Sequence, residues 1–173
     1  TITPPHAPGP AGPLPYLPHV DGLRAVAVAL VVMFHAWPQL APGGFIGVDV
    51  FFVISGFIIT RQIAREMEDG SFSYAAFLGR RVKRLMPAAF VCCLLVSLGA
   101  AVVLLPDALM SYSESLIAVW TMTANFFFYA NTGYFDAPSA EQPLLHMWSL
   151  AVEDQFYLTW PLLLLFLFRK LAV

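Results

Sequence analysis

His35 stands inside an apolar run, Arg24 to His35, that is otherwise fit to cross a bilayer. Ionisable side chains at such positions are costly and mark polar cavities, substrate paths or partners. An imidazole titrates near neutral pH, so it can take up and release a proton there. Arg24 lies eleven residues earlier, close to three helical turns, which puts both side chains on one stripe about 16 Å apart along the axis. A cation and a titratable ring so arranged read as a site rather than as a membrane anchor.

Three further groups carry chemistry. Asp49 and Ser55 lie in Gly43-Gly44-Phe45-Ile46-Gly47-Val48-Asp49 and the apolar run that follows. The glycines at 43, 47 and 56 suit close helix packing, but an apolar span gains nothing from a carboxylate. Arg81 and Arg84 stand three apart in Arg80-Arg81-Val82-Lys83-Arg84. They either hold a loop on one side of the membrane against anionic headgroups or clamp a diphosphate with two guanidinium forks. His146, Ser149, Glu153 and Tyr157 follow i, i+3, i+7 and i+11, so on a helix they share one face. That polar stripe points into a bundle, either as an interhelical hydrogen-bond network or as part of a site.

The elements that must position these groups are membrane spans. Hydrophobic residues make up 59% of the chain and charged residues 12%, against about a quarter charged in soluble domains. The sequence predicts an all-α integral membrane protein, a multi-span helical bundle with about four or five transmembrane helices. Residues 1–18, rich in Pro, Gly and Ala, form a flexible tail. A cleaved signal peptide over 1–41 is the rival reading, opposed by the scarcity of basic residues and by His35. Spans are expected near 23–40, 45–63 and 87–105, the third opened by Pro87 at a helix start. A polar, amphipathic cytoplasmic segment at 64–86 joins spans two and three. Residues 115–130 form a fourth span or a segment that does not fully cross. A loop at 131–143 and a last helix near 144–169 follow.

Six of the nine basic residues lie between Arg61 and Arg84, and none between Leu85 and Phe168. Basic loops stay inside, which puts the N-terminus in the cytoplasm. Five full spans then leave Arg169 and Lys170 outside, against that trend. Cys92 and Cys93 are adjacent and form no metal site alone; they read as buried thiols packing as small hydrophobes. The net charge of −2 gives no sign of a nucleic-acid partner. The chain opens on Thr1 and closes at Val173 after an apolar run, and is expected to be part of a longer protein with an incomplete site.

In order and spacing, these motifs resemble the N-terminal half of the membrane acyltransferase-3 family. The matching stretches are Asp21-Gly22-Leu23-Arg24 with His35, Gly47 through Phe57, Phe77 through Pro87, and His146-Met147-Trp148-Ser149-Leu150 with Glu153, Gln155, Phe156 and Tyr157. They cover about residues 16–170. The resemblance implies a larger membrane O-acyltransferase domain in a bacterial inner membrane. Its donor would be acetyl-CoA or another acyl-CoA, with no metal. Its acceptor would be an extracytoplasmic carbohydrate such as peptidoglycan, exopolysaccharide or the O-antigen of lipopolysaccharide. The last helix most resembles the subgroup that often carries a C-terminal SGNH-type domain.

On that reading Arg81 and Arg84, with Arg24, hold the donor phosphates. His35 is the base for the sugar hydroxyl or a transient acyl carrier. Asp49 or Glu153 orients the imidazole. Ser55, His146, Trp148, Ser149 and Tyr157 shape the pocket, or donate to the carbonyl oxygen. The alternative is a proton-coupled transporter with His35, Asp49 and Glu153 as relay. A purely structural scaffold is the third class, opposed by the polar stripes.

Overall fold

The computed structural model describes residues 16–131 and 142–171. The expected tail at 1–18 and the loop at 131–143 fall mostly outside them. The described residues form α1 (Pro18–Ala36), α2 (Ile46–Glu68), α3 (Tyr74–Val103), α4 (Pro106–Trp120), α5 (Ala124–Asn131), a 3-10 turn at Leu145–Met147, and α6 (Trp148–Leu171). Among the described residues, α1, α2, α3 and the helical stretch Leu145–Lys170 are long and apolar enough to cross a membrane. The all-α membrane architecture is as expected. The chain divides into two compact units, one ending at Phe72 and the other running from Ser73 to Lys170.

In the first unit α1 and α2 form an antiparallel pair. Pro18 opens α1 at a position where its missing N–H is harmless. The helix ends at Ala36, just before Trp37-Pro38. Two glycines set the register. A Cβ at Gly47 would overlap the Ala27 carbonyl oxygen, and one at Gly44 the Leu30 carbonyl oxygen. Only glycine allows that approach. Gly43 faces open space instead. Gly70, at φ 67°, ends the turn after α2.

In the second unit Ser73 caps α3, its hydroxyl accepting from the Ala76 N–H at 3.4 Å. Pro87 lies inside α3 rather than at its start. The polar stretch 64–86 is therefore the end of α2, a turn and the first turns of α3. Pro87 is exposed, and what it removes is the helical donor to the Lys83 carbonyl. Packing on α6 holds those first turns helical: the Tyr74 hydroxyl donates to the Leu158 carbonyl at 3.0 Å, and Phe77 is fully buried. Leu158 lies in the turn before Pro161, the proline inside α6.

The region expected as a fourth span or as a segment that does not fully cross is two short helices. At 15 and 8 residues, α4 and α5 rise about 22 and 12 Å, short of a bilayer core of about 30 Å. They turn about Met122, a non-glycine residue at φ 58°. Irregular backbone at membrane depth persists where protein satisfies it, and α6 does so here. Gln155 Nε2 donates to the Met122 carbonyl at 2.7 Å and to Asn125 Oδ1 at 2.9 Å. The Asn125 amide donates back to Gln155 Oε1 at 3.3 Å. Small residues on α3, namely Ala89, Cys93 and Ala100, let Tyr112, Phe128, Leu144 and Met147 close a common core.

Candidate active site

In the first unit Arg24 does not stand at the end of the helix pair. Its guanidinium carbon lies 5.2 Å from the centroid of the Phe51 ring, six residues into α2. It also pairs with Asp21 at 3.8 Å, a surface pair one turn away worth about 0.5 kcal/mol at most. The ring contact is what ties it to α2.

His35 is exposed, and its Nδ1 lies 2.8 Å from the Val31 carbonyl oxygen. A carbonyl only accepts, so Nδ1 carries the hydrogen. In the neutral ring Nε2 is then the basic nitrogen. The acceptor that orients the imidazole is thus main chain, one turn back on its own helix.

Asp49 is exposed near the start of α2. With Gly47 packed on Ala27, Asp49 falls near the level of Arg24. It stands about 15 Å from His35 along the axis, ten residues of rise. The register therefore keeps Asp49 and His35 apart. Ser55 is half-buried further along α2.

In the second unit the basic cluster and the polar stripe meet. The Arg81 guanidinium carbon lies 5.4 Å from the centroids of both the Phe77 and Tyr157 rings. Those rings are edge-on to each other at 6.3 Å. The Tyr157 hydroxyl donates to Glu153 Oε1 on its own helix. Arg81, Tyr157 and Glu153 thus form one connected group across α3 and α6. Aromatic faces hold the guanidinium, while anions bind at its N–H edge. Arg84, one turn on, is exposed, so the two cations share one end of α3.

His146 sits in the 3-10 turn, one residue from buried Met147 and two from buried Leu144. The Ser149 hydroxyl donates to the His146 carbonyl at 3.1 Å. Trp148 packs against the core of this unit. The expected stripe does face another helix: Tyr157 meets Arg81, and His146 Nε2 lies 3.7 Å from Cys92 Sγ.

That last contact was not legible in the sequence. Cys93 is buried as expected, at 3% exposure, but Cys92 is only half-buried. Successive residues on a helix point about 100° apart, so the two thiols cannot share one environment. The Gln155–Asn125 brace was also missed, although polar residues in the apolar 115–130 segment were its signal.

The family model for an acyltransferase domain matches residues 17–173. The chain belongs to the acyltransferase-3 family. Among family relatives, it is 41% identical over 152 residues to the peptidoglycan O-acetyltransferase OatA of Listeria monocytogenes, covering 87% of this chain and 24% of that protein. It is 39% identical over 158 residues to the O-acetyltransferase OatA of Staphylococcus aureus, covering 90% of this chain and 26% of that protein. The chain thus spans about a quarter of the length of these acyltransferase relatives. No solved structure matches it.

Proposed function

We propose that the full-length protein carries an acetyl group from acetyl-CoA, at the cytoplasmic face of a bacterial inner membrane, to a hydroxyl of a cell-wall carbohydrate outside. Family membership and the names of the relatives support the reaction class and the acceptor. The observation that carries the donor is Arg81, held against Phe77 and Tyr157 beside Arg84. A guanidinium whose faces are occupied and whose side chain is packed has lost its rotamer freedom in advance. It binds a phosphate at a smaller entropic cost than a loose one.

In this reading His35 acts through Nε2. It takes the proton of the acceptor hydroxyl as the oxygen attacks the acyl carbonyl, and the Val31 carbonyl keeps the ring in the right tautomer. Glu153 holds Tyr157, and Tyr157 backs Arg81. Asp49, at the level of Arg24, offsets its charge rather than orienting the imidazole. In the second unit Trp148 and Ser149, at the start of α6, line the path of the acyl group. Four crossings return Arg169 and Lys170 to the side on which α1 begins, which suits a cytoplasmic N-terminus better than five.

The test uses the full-length protein in sealed vesicles, with acetyl-CoA on the cytoplasmic side and a peptidoglycan fragment on the other. An acetyl ester on the fragment, dependent on His35, supports the reading. Ion or solute flux with no ester formed overturns it in favour of a transporter.

A further inference from the structure

Cys92 and His146 are brought together by the fold and serve no part of the reaction described above. Their contact joins the middle of α3 to the turn that opens α6, with Sγ and Nε2 3.7 Å apart. The two residues are 54 apart in the chain, so the meeting is a product of tertiary packing. Leu144 and Met147 are buried, which pins the turn and holds the imidazole against α3. Cys93 fills the core of this unit while Cys92 is half-buried. Of the two thiols, Cys92 is the one a reagent or substrate can reach.

The position of the pair along α3 gives it a purpose. Cys92 is eleven residues beyond Arg81, close to three full turns, so both lie on one stripe of the helix about 16 Å apart. Both meet the stripe of α6 and its leading turn, Arg81 at Tyr157 and Cys92 at His146. A donor whose phosphates are held at one end of that stripe and whose reactive sulfur sits at the end of a long flexible arm would present a thioester near Cys92.

We infer that Cys92 and His146 form a thiol–imidazole pair that takes the acyl group from a thioester donor and holds it as a protein thioester. This rests on the donor reading above. The Cys92 sulfur attacks the donor's carbonyl carbon, and the bond from that carbon to the donor sulfur breaks as the new carbon–sulfur bond forms. The thiol proton passes to His146 Nε2 and then to the departing donor thiolate. One thioester replaces another, with no oxidation or reduction. The oxygen of an acceptor hydroxyl then attacks the held carbonyl carbon, the bond from that carbon to Cys92 Sγ breaks, and the hydroxyl proton returns the Cys92 thiolate to a thiol as the oxygen ester forms.

The test is acid quench of the full-length protein in membranes after brief exposure to radiolabelled acetyl-CoA, with acetyl-CoA binding measured in parallel. The expected result is label on the protein that neutral hydroxylamine releases. It is absent in Cys92→Ala, kept in Cys93→Ala, and formed about 100-fold more slowly in His146→Gln. Acetyl-CoA that binds but leaves no hydroxylamine-labile label, or label that survives Cys92→Ala, overturns this inference and leaves the donor reading standing. Absence of acetyl-CoA binding overturns both.

Discussion

Helix α1 with its partner α2, and helix α3 with its partner α6, follow one plan and finish it differently. Each first helix carries an arginine against an aromatic ring of its partner: Arg24 on Phe51, and Arg81 on Tyr157. Eleven residues later each carries a side chain able to react, His35 in one and Cys92 in the other. The difference lies in what holds the reactive group. His35 is oriented by the Val31 carbonyl of its own helix, so its geometry survives movement of α2. Cys92 meets a ring delivered by a separate turn, so its pairing depends on the whole second unit. On the proposed reading one helix presents a base to an incoming hydroxyl, and the other assembles a thiol with its activator across an interface.

The largest effect that sharpens this contrast comes from His35. Full-length His35→Ala protein should transfer acetyl groups about 10²–10⁴-fold more slowly, measured as initial rates in membranes. An unchanged rate would remove the base from α1.

Next is Arg81. Arg81→Ala should weaken acetyl-CoA binding about 10–100-fold, the range for losing a charge-assisted hydrogen bond. Arg81→Lys should recover only part of that, because the planar fork is gone. Arg84→Ala, at an exposed side chain, should cost less. An equal loss from Arg24→Ala would break the contrast, since the two arginines would then act alike.

Two stability effects are smaller. Gly47→Ala puts a methyl group into the Ala27 carbonyl and should cost about 1–3 kcal/mol in detergent unfolding. Gly43→Ala, into open space, should stay within about 0.5 kcal/mol. Equal costs would mean that the glycines do not set the register of α1 on α2. Gln155→Leu removes the donor to the Met122 carbonyl and the partner of Asn125. It should cost about 1–2 kcal/mol, and it should slow Cys92 labelling.

Much of this was readable from residue order. Apolar runs, the basic segment and the His146–Tyr157 stripe all follow from local periodicity, and they appear as helices or helix faces in place, whereas the helix starts at Pro18 and Pro106 were not read from the sequence. The misses share a physical cause. Pro87 reads as a helix start, yet contacts from Phe77 and Tyr74 carry α3 through it. Residues 115–130 read either as a fourth span or as a segment that does not fully cross, because nothing local announces that Gln155, some thirty residues on, will satisfy a turn at Met122. Cys92 looks no different from Cys93 in sequence, and only the placement of His146 separates them. Asp49 and His35 are near in the chain but held apart by a register that two glycines set.

The central claim is a division of labour: α3 holds the donor and α1 activates the acceptor. It is tested most directly by measuring acetyl-CoA affinity and acetyl-transfer rate on the same preparations of full-length wild-type, His35→Gln and Arg81→Ala protein. The account predicts that His35→Gln keeps its affinity within about threefold while its rate falls about 100-fold or more. It predicts that Arg81→Ala loses affinity and regains much of its rate at saturating donor. Loss of donor binding in His35→Gln, or unchanged affinity in Arg81→Ala, would contradict it.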